Sequence, residues 1–357
     1  MSREITSAIF DGPGRPFRFA CQPPPRLGPG EALVRVTLCT VCGSDLHTFG
    51  GRRTQPAPSV LGHEPVGVVA EVNGELRDVT GEPVRVGDRV VWAVVVSCGA
   101  CFFCTHELPQ KCERLRKYGH EPADLATGPL GGLSTHCHLL AGAAIVKVPA
   151  ALPDAVAAPA GCATATVMAA FRAAGGRGPR TVAVLGLGML GLTACAVAAA
   201  AGDAVIACDV SDARLAHAAR FGAAHIAKPR ELLELAKSLT AGRGADLALE
   251  LSGPADAAAA ALDVLRVGGT AVWVGAVSPV GTIPVNPESV VRRCLTVAGV
   301  HNYAPRDLAA AVEFLAANHT RFPFAELVAD TFSLDAADAA FRFAEAEHPV
   351  RVAVRCG

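Results

Sequence analysis

Residues 181–210, TVAVLGLGMLGLTACAVAAAAGDAVIACDV, carry a single charged side chain before Asp209. The run is long enough to cross a bilayer. Three glycines at fixed offsets interrupt it and an aspartate closes it, which suits a buried strand, a tight turn and a packed helix better than a membrane span. The alternation continues with the helical SDARLAHAARFG, the strand ADLALEL, the helical ADAAAAALDVL and the strand GTAVWVGAV. Apolar strands alternating with helices call for a parallel sheet covered on both faces, a doubly wound α/β unit.

Gly186, Gly188 and Gly191 have the spacing G-x-G-x-x-G between strand and helix. The first permits the tight turn, the second lets a pyrophosphate approach the backbone, and the third lets the helix pack closely on its strand. The helix N-terminus, with Met189 and Leu190 in its first turn, then faces the phosphates. Asp209 ends the next strand about 20 residues on, where a carboxylate accepts hydrogen bonds from the adenosine ribose. It repels a 2′-phosphate and has no basic residue directly beside it, so NAD is preferred over NADP, a preference tempered by Arg214. The plainer alternative for Asp209 is a cap for the helix that follows.

Before this stretch the texture is different. Short valine-rich runs (ALVRVTL, PVGVVAEV, DRVVWAVVV) separated by glycine and proline read as strands between turns. After it come a helix, DLAAAVEFLAANH, and a closing strand, VRVAVRC. At 357 residues two domains are expected: a nucleotide-binding one over 154–298, and a β-rich one built from 1–153 and 299–357. With 51% hydrophobic and 18% charged residues the chain is not disordered. A net charge of −1 offers no field for gathering nucleic acid or an anionic membrane. The N-terminal MSREITSAIFDGPG lacks a signal peptide pattern, so a cytoplasmic location is expected.

Thirteen cysteines in a reducing compartment argue against a disulfide framework. Cys98, Cys101, Cys104 and Cys112 have the spacing C-x2-C-x2-C-x7-C, close enough to converge on one tetrahedral ion. Zinc suits four thiolates, an iron–sulfur cluster would also accept them, and unmetallated thiols are the plain alternative. A four-thiolate site leaves no position open for substrate, so its expected role is to fix a lobe with little core.

CTVCGSDLHTFGG (39–51), LGHEPVG (61–67) and PAGCATATV (159–167) offer further cysteines and a histidine that singly would pass as core residues. Together with the quartet and the glycine motif, their order resembles the zinc-containing, medium-chain alcohol dehydrogenase family over essentially the whole chain. The resemblance implies a Rossmann cofactor domain beside a GroES-like catalytic domain, an active site in the cleft between them, NAD as coenzyme and two zinc ions per chain. A catalytic zinc would be held by Cys42, His63 and Cys162, with Glu64 close by and a structural zinc on the quartet. Ser44 would take the alcohol proton and pass it through the cofactor ribose towards His47, with Asp45 orienting His63. Cys39 lies outside the motif. Val274 and Gly275 would meet the nicotinamide, and Arg351, less readily Arg355, the pyrophosphate. A homodimer or homotetramer acting on a small alcohol, aldehyde or ketone is implied, with no nucleic acid or membrane partner. Asn73 stands where the family usually has glycine, which asparagine's tolerance of left-handed backbone would make harmless. The connection NGELRDVTGEPVRVGD is longer than typical.

LPQKCERLRKYGHE, PAGCATATVMAA and VRRCLTVAGVHNYAPRDL are similar to a branch of that family associated with phosphonate catabolism, implying a small hydroxyalkyl phosphonate as substrate. A phosphonate needs clustered cationic donors. Candidates are Arg52, Arg53, Arg116, Lys117, His120 and His301, each of which alone reads as a solvated side chain. A polyol or sugar-alcohol dehydrogenase is the competing enzyme. A non-catalytic nucleotide-binding redox sensor, with Cys42 and Cys162 as oxidisable thiols, is the competing class; the complete ligand set with Ser44 and His47 argues against it.

Overall fold

A computed structural model describes residues 4–124, 127–176 and 178–357, in two compact units. The first comprises Met1–Ala165, Ala304–His319 and Phe324–Gly357; the second comprises Thr166–Tyr303 and Thr320–Pro323. These divisions fall at 165/166 and 303/304, later than the changes of texture at 153/154 and 298/299. The first lies inside the unbroken helix Ala163–Ala174, where composition gives no sign of it.

The first unit is built on a curled sheet whose centre is the long strand Glu31–Val41. Arg351–Arg355, Glu64–Asn73 and His136–Leu139 all pair with it antiparallel. Arg89–Val96 follows on the far side of Glu64–Asn73. β-Branched residues dominate these strands and fit a pleated buried surface: Val34, Val36, Val90, Val352 and Val354 are fully buried. Register determines which residues meet at the strand ends. Thr40 lies opposite Glu64, and Val41 opposite Val352, so Cys42, His63, Glu64 and Arg351 are delivered to one place.

The 73–88 connection is an ordered loop. The Asp78 carboxylate accepts from the Thr80 N–H, the Thr80 hydroxyl and the Glu82 N–H, satisfying a turn that would otherwise leave donors unpaired. Asn73 is not left-handed as expected; Gly74 takes that conformation, and Asn73 instead donates from Nδ2 to the Leu27 carbonyl at 2.8 Å.

The second unit is a six-stranded parallel sheet in the order His225–Ala227, Ala204–Cys208, Thr181–Leu185, Ala245–Glu250, Leu265–Trp273, Thr296–Gly299. The direction of strand addition reverses between Thr181–Leu185 and Ala245–Glu250. The apolar 181–210 stretch resolves into strand Thr181–Leu185, helix Met189–Ala200 and strand Ala204–Cys208. Among the described residues no single helix is long and apolar enough to cross a membrane. A Cβ at Gly191 would lie 1.8 Å from the Gly186 carbonyl oxygen, so only glycine lets the helix start this close to its strand.

Candidate metal and coenzyme sites

One donor atom each from Cys42, His63, Glu64 and Cys162 lies within 4.8 Å of the others. Cys42 caps the helix Gly43–Phe49 directly after the central strand, and Cys162 follows the short helical turn Ala158–Gly161. The hydrogen bond between the two thiols, with Arg351 and His63 acting against the cost of burial, holds Cys42 well below the ordinary thiol range, while the same hydrogen bond together with burial holds Cys162 well above it.

His63 is buried, and its Nδ1 faces Asp45 Oδ1 at 3.1 Å. That contact orients the ring with Nε2 towards the thiols, and Ser44 Oγ is 3.3 Å from Nε2. Burial opposes the imidazolium, but Asp45 and Cys42 raise it to about 10. A metal ion bound to His63 Nε2 would displace that proton. Two thiols, one imidazole and a carboxylate oxygen so placed could hold a metal ion, and two thiols with an imidazole are ligand types that zinc accepts. His47 is exposed on the same short helix, and its Nδ1 accepts from Arg52 Nε at 2.9 Å. A neutral His47 so engaged carries its proton on Nε2. Burial and Arg52 together hold its pKa below the usual value.

Glu64 is fully buried and its oxygens are committed. Arg351 donates from Nε to Oε2 and from Nη2 to Oε1, each at 2.9 Å, and the Thr40 hydroxyl donates to Oε2 at 2.6 Å. Arg351 also donates from Nη1 to the Val350 carbonyl, and its Nη2 lies 3.7 Å from Cys42 Sγ. Expected at a pyrophosphate, Arg351 is instead 7% exposed, with its guanidinium engaged by these partners. Sequence reasoning missed this pairing and the part played by Thr40, because both depend on strand register. Arg355, the less favoured alternative, is exposed at the end of the same strand.

In the quartet, Cys98 and Cys104 sulfurs are 4.0 Å apart, Cys101 and Cys104 3.5 Å, and Cys101 and Cys112 3.8 Å. Sulfurs around tetrahedral zinc at about 2.3 Å would be about 3.8 Å apart, so the cage already has the size of the ion. Cys112 is the only buried residue between 98 and 112, which fits a lobe that needs a metal for want of a core.

In the second unit Gly188 caps the helix that begins with Met189, Leu190 and Gly191. Asp209 is buried, accepting from Leu187 N–H at 2.7 Å and Ser211 N–H at 2.8 Å, which ties the glycine loop to the next strand. Capping of the following helix falls to Ser211, whose hydroxyl accepts from Arg214 N–H. Arg214 Nη1 is 4.0 Å from Asp209 Oδ2. Val274 and Gly275 follow the strand Leu265–Trp273, and their N–H groups donate to the Glu250 carbonyl.

The six substrate candidates separate. Lys117 is half-buried, and its ammonium, lowered by burial and by Arg53, interacts with the charges of Cys162 and Cys42. The His120 ring centroid is 5.1 Å from that of His63. Burial, His63 and Lys117 push His120 down to about 2, so it is neutral and supplies no positive charge. Arg52 is engaged with His47, Arg116 pairs with Glu121 at 2.6 Å on the surface, and His301 belongs to the second unit.

A curled GroES-like sheet carrying two cysteine-rich clusters that could each hold a metal ion, with a parallel-sheet unit opened by a glycine turn, is the architecture of a zinc-type dehydrogenase. Residues 28–150 match the alcohol dehydrogenase GroES-like domain, and residues 190–317 the zinc-binding dehydrogenase domain. The chain is 33% identical to 5-exo-hydroxycamphor dehydrogenase of Pseudomonas putida, with 89% of this chain and 90% of that protein covered. It is 31% identical to sorbitol dehydrogenase of Bacillus subtilis, covering 90% and 88%. An alcohol dehydrogenase from Thermotoga maritima superposes with a TM-score of 0.94 at 28% identity, covering 99% of this chain and 100% of that one. The chain belongs to the zinc-binding alcohol dehydrogenase family.

Proposed function

We propose that this protein is an NAD-dependent alcohol dehydrogenase holding two zinc ions per chain, one on Cys42, His63 and Cys162 and one on the cysteine quartet. The observation that carries this reading is the convergence of two thiols and an imidazole on one buried point, with Ser44 beside it. Zinc bound there would supply Lewis acidity to an alcohol oxygen, and a bound nicotinamide would supply the hydride acceptor. Asp45 holds the His63 ring, Arg351 and Glu64 fix the wall behind Cys42, and Ser44 takes the hydroxyl proton. His47, held below its ordinary pKa by burial and Arg52, is the far end of the proton's route and takes the proton on Nδ1 when the Arg52 hydrogen bond opens. Asp209 favours NAD by presenting a carboxylate where NADP would place a phosphate. The backbone at Val274–Gly275 receives the nicotinamide.

The substrate we propose is a small alcohol bearing an anionic group, a hydroxyalkyl phosphonate in the first instance. Lys117 with Arg53 would supply its counter-charge, supported by the half-buried position of Lys117 within electrostatic reach of Cys162 and Cys42. The polyol reading is favoured instead by the resemblance to a sorbitol dehydrogenase. NADH absorbance with 2-hydroxyethylphosphonate and with sorbitol as alternative substrates separates the two. Phosphonate turnover that falls at least tenfold in Lys117→Met supports the first; turnover of polyols alone removes it.

A further inference from the structure

Glu250 ends the strand Ala245–Glu250 and is fully buried, although nothing in the proposed chemistry uses it. Its carboxylate is saturated with donors. Oε1 accepts from Ser252 N–H at 2.7 Å, Ser252 Oγ–H at 2.8 Å and Gly253 N–H at 2.6 Å; Oε2 accepts from Gly275 N–H at 3.1 Å. Its backbone carbonyl receives Val274 N–H at 2.9 Å and a share of Gly275 N–H at 3.1 Å. One residue thus ties the turn after its own strand to the turn after the neighbouring strand Leu265–Trp273.

A buried carboxylate is costly unless such donors satisfy it, and a sheet that needed only cohesion would place an apolar side chain here. The placement indicates what the turns are for. Glu250 pairs in register with Leu185, next to the glycine turn, where the order of strands reverses and open parallel sheets take their ligands. A Cβ at Gly275 would fall 2.4 Å from the Gly253 nitrogen, so the two turns meet backbone to backbone with no side chain between them.

We propose that Glu250 is a positioning residue for the nicotinamide end of the coenzyme: it sets the height and orientation of the Val274–Gly275 backbone that the ring meets. The inference rests on the coenzyme reading above and concerns only one half of the dinucleotide. In Glu250→Gln the side chain keeps its shape, but its NH2 group faces either Gly275 N–H or the Ser252 and Gly253 N–H pair, donor against donor.

Equilibrium binding of NADH and of ADP-ribose, which lacks the nicotinamide, to the wild-type and Glu250→Gln full chains tests this. The expected result is NADH binding weakened about tenfold or more, with ADP-ribose unchanged within twofold. An equal loss for both ligands, or no loss for either, overturns the proposal. Should Glu250→Gln fail to fold, Ser252→Ala, which removes one donor, decides by the same ratio: NADH weakened two- to threefold with ADP-ribose unchanged supports it, and equal effects overturn it. A wild-type protein that binds neither ligand overturns the coenzyme reading itself.

Discussion

Arg351 and Glu64 stand 287 positions apart in the chain and meet as a bidentate ion pair with both side chains at most 7% exposed. The closing strand and the central sheet are thereby locked together directly behind Cys42. Two buried charges are tolerable only as partners; removing one leaves the other stranded.

Arg351→Met is therefore expected to destabilise the chain by about 3–5 kcal/mol in denaturant unfolding. Glu64→Gln combined with it should recover a large part of that loss, since the two residues act as a pair. Strictly additive losses would show that the pair is not coupled.

Phe341 is fully buried, with ring centroids 5.1 Å from Phe17 and 5.0 Å from Phe49. It fastens the helix Ala337–Glu347 onto the helix that begins beside Cys42. Phe341→Ala should cost about 3–5 kcal/mol. A loss below about 1 kcal/mol would mean the cluster collapses around the gap.

The acid limb of kcat/KM should respond to Arg52. His47 lies below its ordinary pKa through burial and the charges of Arg52 and Arg53, with Cys42 acting in the opposite direction. His47 accepts a proton only when neutral, so activity is lost as pH falls through its pKa. Arg52→Ala removes a neighbouring cation, raises that pKa and should move the acid limb upward by up to about one unit. A pH profile unchanged by the substitution would take His47 off the proton's route.

The legible parts of this molecule were those encoded locally. The glycine turn, the alternating strands and helices and the cysteine quartet each depend on spacing within a few residues, and the quartet's sulfurs stand at zinc-like separations. Less legible was whatever depends on register between distant strands. Glu64 follows His63 in the chain, but its partners Thr40 and Arg351 come from two other strands. The neutrality of His120 and the burial of Glu250 have the same origin, since environment decides them and a single sequence does not print it.

Zinc content of the metal-replete protein, wild type against Cys162→Ser, measured together with turnover, tests the central claim most directly. The account predicts two zinc ions per wild-type chain, and one in Cys162→Ser with the quartet still loaded and turnover lost. One zinc in the active wild-type chain, or two fully retained in Cys162→Ser with turnover intact, would contradict it.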